Sequence, residues 1–217
     1  MPVIESNMYV LTHGHDALVV DPSISAEAET LLLESGVQRC TVLLTHEHYD
    51  HICGVNRLRE LFSCNVVCTE VCAEAIADPR KSGTMFFAAL FLERSEEERR
   101  TVEALLNTEY RCAADTVFSE ELTLEWHGLS VRMKSLPGHS RGSQVIRIIE
   151  KYVFTGDSLV PGEQTILRLP GGSRRSFVTT ALPYLRSLPW DCIVYPGHGN
   201  AAAYMERAIQ ESLGNEE

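Results

Sequence analysis

Between Thr45 and Gly54 the sequence reads THEHYDHICG, so His46, His48, Asp50 and His51 fall within six positions of a chain that holds eight histidines. Imidazole nitrogens and carboxylate oxygens are the ligands that a borderline-soft divalent cation takes. In an extended or loop segment, side chains two apart point the same way. That directs His46 and His48 at one cation and leaves Asp50 and His51 to face a second position. Ligands this dense suit a pair of ions. The chain's own His and Asp frequencies put the chance of H-x-H-x-D-H on the order of a few in ten thousand, so a solvated polar loop is a poor account of it.

Two ions need more ligands than these four residues supply. His139 lies in LPGHSRGS, Asp157 in FTGDSL and His198 in YPGHG. Each ends or follows a strand-like run beside glycine, which permits tight loops and close backbone approach. Singly, a glycine-flanked histidine is more often a turn or a solvated side chain; jointly, these residues point to a chain that bends back on one site. HGHD, His13 to Asp16, has a similar look but occupies a hairpin turn and lacks the adjacent D-H pair. His127, before Gly128, reads as a solvated or capping residue.

The elements that must position these groups alternate through the first third. Asn7–Thr12 and Asp16–Asp21 read as a hairpin. Ser25–Gly36 reads as a helix with a serine cap and a glycine stop, and Cys40–Leu44 as a buried strand running into the motif. Gly54–Phe62 is expected to be helical, Asn65–Thr69 a strand and Val71–Ala77 helical again. A helical insertion follows at about 79–111. It has an aromatic-rich helix over Met85–Leu92, then a capping box at Ser95 and Glu98 that opens a helix with Val102, Leu105 and Leu106 on one stripe. Strands are expected at Leu122–Trp126, Leu129–Lys134, Gln144–Ile149, Tyr152–Thr155 and Cys192–Tyr195, with helices starting near Ser173 and Asn200.

The composition, 44% apolar and 23% charged over 217 residues, is that of a globular protein, read here as a single domain, 1–217. No apolar run approaches the length of a membrane span, and the N-terminal stretch lacks the pattern of an export signal, so a cytoplasmic protein is expected. Seven cysteines, an odd number, fit reduced thiols rather than a disulfide framework, and Cys68 and Cys72 read as buried apolar side chains. A net charge of −11 with scattered basic residues argues against a nucleic-acid partner. A small-molecule substrate is expected, with a homodimer left open.

In this order, SNMYVLTHGHDALVVDPS, THEHYDH, LPGHS, FTGDSL, LPGGS and YPGHG resemble the metallo-β-lactamase superfamily, and within it the small glyoxalase-II-like (hydroxyacylglutathione hydrolase-like) hydrolases, nearly end to end. The resemblance implies an α/β fold, a four-layer αββα sandwich with metals at one edge. It implies that His46, His48 and His139 hold one metal, that Asp50, His51 and His198 hold a second, and that Asp157 bridges them. Two divalent ions are expected, zinc first, with iron or manganese as alternatives. The chain departs from the pattern in TILRLPGGS, where small members often carry Arg-x-Asp, and in NAAAY after PGHG. The stretch after His198 is also shorter than the helical domain with which larger glyoxalase II enzymes grip glutathione.

Water held between two divalent cations loses its proton near neutral pH. Hydroxide formed there would attack an ester, thioester or lactone carbonyl, the metals would stabilise the oxyanion and the leaving group, and Asp50 and Asp157 are expected to be the catalytic carboxylates, with Asp50 able to handle the proton. Met85, Phe86, Phe87 and Phe91 of the insertion are expected to roof the pocket and favour an apolar acyl group. The alternatives are a mononuclear iron persulfide dioxygenase, sharing the positions of His46, His48, His139 and Asp157, and, further off, a phosphodiesterase.

Overall fold

The protein is described from a computed structural model over residues 6–203. Strand β2 (Asp16–Val20), DALVV, is an unbroken apolar run after its first residue because both of its faces are covered. Ala17 and Val19 point to one layer of packing, while Leu18 and Val20 point to another. The same split divides β3 (Arg39–Leu43), with Cys40 and Val42 to the first layer and Leu43 to the second, and β4 (Ser63–Thr69), with Val66 and Val67. Together with β1 (Tyr9–His13) and β5 (Thr116–Phe118) these strands form a five-stranded sheet ordered β1-β2-β3-β4-β5. β1 pairs antiparallel with β2, and β2 through β5 pair in parallel.

The second sheet has six strands in the order β11-β10-β9-β8-β7-β6. They are β6 (Glu121–Trp126), β7 (Leu129–Ser135), β8 (Gln144–Ile148), β9 (Tyr152–Gly156), β10 (Ile193–Pro196) and β11 (Ala202–Ala203). Trp126, Val131, Met133, Ile146 and Phe154 meet Leu18, Val20, Leu43 and Val67 between the sheets. On the outer face of the first sheet lie α1 (Ala26–Glu34), α3 (Val55–Leu61) and α4 (Glu70–Ile76), contributing Leu32, Leu58 and Ile76 to that layer. The outer face of the second sheet, through Val145, Val153 and Val194, packs on Phe177, Leu182 and Leu185. Those three come from one helical run, α6 (Arg174–Ser176), a π-helical turn (Phe177–Ala181) and α7 (Leu182–Arg186). Helices, two sheets and helices stack in four layers, the αββα arrangement expected. Among the described residues no helix is long and apolar enough to cross a membrane.

Some expectations are revised. The helix foreseen over Met85–Leu92 is a 3₁₀ helix, Thr84–Phe91, entered from Gly83 in the left-handed region. Being apolar on nearly every side, it has no stripe to enforce the α pitch. Phe87 and Phe91 turn inward, Phe87 against Tyr49 at 5.3 Å between ring centroids, so these rings are used in the core and are not available to line a substrate pocket. Phe86 is left 57% exposed. The helix after it, α5 (Glu96–Leu105), has the foreseen capping box, with Ser95 and Glu98 bonded reciprocally. Its stripe is narrower than expected, since Val102 is buried and Leu105 is exposed. Strand β5 is too short and mixed to have been read in advance. The helix expected near Asn200 is replaced at its start by β11, because Ala202 and Ala203 pair with β10; the remainder of that expectation lies outside the described residues.

Phe87 docks the insertion on Tyr49, beside Tyr110, whose ring also packs on Tyr49 and whose hydroxyl donates to the Ile52 carbonyl. Phe87→Ala should cost about 3–5 kcal/mol, read as a lower urea midpoint at unchanged slope; a shift worth less than about 1 kcal/mol would show that the insertion is not docked there.

Candidate metal centre

All seven candidate residues leave the C-terminal ends of strands along one edge of the sandwich. After β3 the chain stays extended through His46 and His48. It then coils into α2 (Tyr49–Ile52), with His48 at the N-cap and Asp50 and His51 in the first turn. This change of backbone sends the four ligands in two directions. His139 stands in the loop after β7, Asp157 directly after β9, and His198 directly after β10.

The structure groups them as two triplets. In each triplet, one nitrogen or oxygen from every residue lies within 4.8 Å of the others: His46, His48 and His139 in one, Asp50, His51 and His198 in the other. Asp157 lies between them. Its Oδ1 is 3.5 Å from His51 Nε2, and its Oδ2 is 3.6 Å from His139 Nε2 and 3.4 Å from His198 Nε2. Asp50 Oδ2 is 3.3 Å from both His51 Nε2 and His198 Nε2.

The outer nitrogens are tied down. Thr45 Oγ donates to Asp21 Oδ2, so the contact between Thr45 Oγ and His46 Nδ1, at 3.0 Å, is assigned as His46 donating. His51 Nδ1 donates to Asp21 Oδ2 at 3.1 Å and His139 Nδ1 to the Ile166 carbonyl at 2.8 Å. With Nδ1 occupied as donor, Nε2 is the atom that each of these three rings turns toward the site, the arrangement of a metal-ligating imidazole. His46 Nε2, His48 Nε2, His51 Nε2 and Asp157 Oδ1 are buried and have no hydrogen-bond partner. His48 Nδ1 stands 3.0 Å from His139 Nε2. Buried polar atoms are almost always satisfied, and an unpaired one costs about 1–3 kcal/mol. A divalent cation satisfies several of these at once, so the residues fit the group.

The titration pattern follows from the same crowding. Burial, then the His51 and His48 rings, hold His46 well below the usual imidazole range. Burial also brings His139 down to about 4. Burial acts in the same sense on His51, but the Asp50 and Asp157 carboxylates outweigh it and hold that ring well above the ordinary value. His198 is raised to about 10, because its bonds to Asp157 and Asp50 overcome its burial. For Asp50 and Asp157 desolvation pushes upward, yet the surrounding imidazoles, His51 foremost, hold both well below the usual carboxylate range.

Several contributors were not foreseen. Asp21, where β2 ends, adopts φ +52°, a region Asp tolerates, and its buried carboxylate accepts from the Thr45 amide as well as from Thr45 Oγ and His51. Its signal was an acidic residue closing a buried strand. The TILRLPGGS stretch serves through the Ile166 carbonyl, which no side-chain pattern reveals. The His198 loop is held by Asn7, whose amide reaches the Pro196 and Gly199 carbonyls, and by the Tyr9 hydroxyl on Pro196 O. Gly197 has no room for a side chain: a Cβ there would sit 2.1 Å from Asp157 Oδ1 and 2.7 Å from His51 Cε1. As expected, HGHD is remote from this edge, at the other end of β2, with Asp16 bonded to Arg39 and His127.

The profile of the metallo-β-lactamase superfamily matches residues 1–198. The chain belongs to this superfamily. It is 29% identical over 216 residues to an uncharacterized protein of Mycobacterium tuberculosis and 26% identical over 203 residues to a probable metallo-hydrolase of Bacillus subtilis. Each alignment covers 92% of this chain and 88% of the relative. A shorter match, 44% over 57 residues, joins it to a hydroxyacylglutathione hydrolase of Prochlorococcus marinus and covers 26% of this chain and 23% of that one. Among solved structures, the B3 metallo-β-lactamase BLEG-1 superposes with a TM-score of 0.72 at 26% identity, covering 96% of this chain and 91% of that one. TTHA1623, solved in a di-iron-bound form, shares the fold with a TM-score of 0.68 at 24% identity, covering 91% and 89% of the two chains. The metallo-hydrolase superfamily and its His-rich metal site are thus established for this chain.

Asp21→Asn preserves size and tolerates the left-handed backbone, but its single amide oxygen cannot serve both the Thr45 amide, which Asp21 Oδ1 accepts, and the Thr45 Oγ and His51 Nδ1 donors, which Oδ2 accepts. It should weaken divalent-metal binding about 10- to 100-fold with an unchanged circular dichroism spectrum; wild-type affinity in a chelator competition would contradict this role.

Proposed function

We propose that the chain is a hydrolase that opens a thioester, ester or lactone carbonyl at this centre, with two divalent ions, zinc in the first instance, held by His46, His48 and His139 on one side and Asp50, His51 and His198 on the other, with Asp157 between. The observation that carries the reading is the convergence of His46, His48 and His139 on one side and Asp50, His51 and His198 on the other about the Asp157 carboxylate, with the buried His46 Nε2 and Asp157 Oδ1 left without a hydrogen-bond partner. Divalent ions bound there supply Lewis acidity and bring the pKa of water toward neutrality. The rest is the work of the chain. His46, His51 and His139 present nitrogens whose direction Asp21, Thr45 and Ile166 have already fixed, so no reorganisation accompanies the reaction. Asp50, held ionised by His51 and His198, accepts the proton of the attacking water and returns it to a departing alkoxide. A thiolate, the conjugate base of a much stronger acid, leaves without that help. The short stretch of likeness to a hydroxyacylglutathione hydrolase supports a thioester within this class.

The reading places the substrate among small acyl compounds. With Phe87 and Phe91 committed to the core, selectivity for a long apolar acyl chain is not part of it.

A panel of thioesters, lactones and phosphodiesters, assayed with zinc, iron and manganese forms, tests the proposal. Metal-dependent acyl hydrolysis is expected, absent from folded His46→Ala and Asp157→Ala variants. Oxygen uptake on a persulfide with no acyl hydrolysis, or full turnover in His46→Ala, would overturn it.

A further inference from the structure

Between the two inward-facing histidines of the motif stands a carboxylate that the proposed chemistry does not use. Strand-like alternation sends Glu47 away from His46 and His48, yet it does not reach solvent: the residue is only 2% exposed. Among the described residues no lysine or arginine pairs with it. Burying a carboxylate without a cation is expensive unless hydrogen bonds replace its water, and here the donors come from a single loop. Ser140 Oγ donates to Glu47 Oε2 at 2.7 Å, and the Gly142 amide donates to Oε1 at 3.3 Å. Because Ser140 Oγ gives its proton to Glu47, the 2.8 Å contact between Ser140 Oγ and Ser143 Oγ runs with Ser143 as donor, while Ser143 Oγ accepts from the Ser140 amide. The loop is therefore wired to Glu47 along its length, and it is the loop that carries His139.

The fit leaves no slack. A Cβ on residue 142 would fall 2.5 Å from Glu47 Oε2 and 2.7 Å from the Cys72 Cα, so only glycine lets the loop lie this close. On its other side the Gly142 carbonyl accepts from Thr69 Oγ1 at 3.0 Å. Metal–ligand distances are held to a few tenths of an ångström, and His139 must meet a cation shared with His46 and His48, the two neighbours of Glu47.

We propose that Glu47 is a positioning residue: its carboxylate clamps the 138–143 loop to the His46–His48 segment and so sets where His139 stands. The inference rests on the reading of the site given under Proposed function. It is selective, because Asp50 and His51 reach the other triplet from α2 and His198 from the end of β10, elements apart from this loop. Removing the carboxylate therefore loosens the ion of the His46–His48–His139 triplet and spares the second.

The test is zinc titration of metal-stripped protein against a chromophoric chelator, repeated with cobalt to follow each ion by its absorption, on wild type, His139→Ala, His198→Ala, Glu47→Ala and Glu47→Gln. Wild type should bind two ions, the His139 and His198 variants identifying which is which. Glu47→Ala should weaken the His139-dependent ion about 10- to 100-fold and leave the His198-dependent ion within about twofold of wild type. Glu47→Gln, which keeps one oxygen for Ser140 Oγ, should recover part of the loss. Should Glu47→Ala not fold, Ser140→Ala removes the 2.7 Å bond and should weaken the same ion in the same selective way. Two unaltered affinities in Glu47→Ala, or in Ser140→Ala where that variant is needed, or equal weakening of both ions, would overturn the clamp while leaving the site intact. Wild type that binds no zinc or cobalt would overturn the site itself, and the clamp with it.

Discussion

The structure turns on a cluster of buried imidazole rings that converge on one carboxylate, that of Asp157. Four buried atoms on His46, His48, His51 and Asp157 lack partners, each at a cost of about 1–3 kcal/mol. Protonation relieves only part of this, because rings whose centroids lie 4.2 to 4.9 Å apart cannot all be charged. Burial and the neighbouring rings hold His46 well below the usual imidazole range, while the carboxylates raise His51 and His198 above it. A divalent cation resolves the conflict. It would give these nitrogens and the Asp157 carboxylate one centre of positive charge in common.

The fold is the means of imposing that conflict. β2, β3, β7, β9 and β10 all end at the same edge of the sandwich, so residues from Asp21 to His198 meet although nearly the whole chain separates them. Two covered faces on each sheet give the strands the rigidity to hold those ends in place. A ring of outer contacts then orients the rings: Asp21 and Thr45 behind His46 and His51, Ile166 behind His139, Asn7 and Tyr9 around the His198 loop. The polar groups are costly one by one and consistent as a set.

How much of this was legible in advance depended on whether a residue acts through its type or through its surroundings. His46, His48, Asp50 and His51 announced themselves by density. His139, Asp157 and His198 were readable because glycine-flanked loops after strands recur at each, and the resemblance to a known superfamily ordered them. Asp21 was not, since an aspartate closing a strand is ordinary until the turn aims it under His51. Ile166 acts through its backbone carbonyl and leaves no trace in residue type. Glu47, inside the motif, carries no signal in the local sequence because its partners Ser140 and Gly142 lie more than ninety positions away. The aromatic residues of the insertion misled for the opposite reason: their type suits a pocket, and packing against Tyr49 put two of them in the core.

The central claim is tested most directly by crystals of the purified protein grown with zinc, with an anomalous difference map calculated from data on each side of the zinc absorption edge. Two peaks are predicted, one amid His46, His48 and His139 and the other amid Asp50, His51 and His198, with Asp157 reaching both. A map without density at that edge of the sandwich, or with zinc held elsewhere while these rings bond only to one another, would contradict the account.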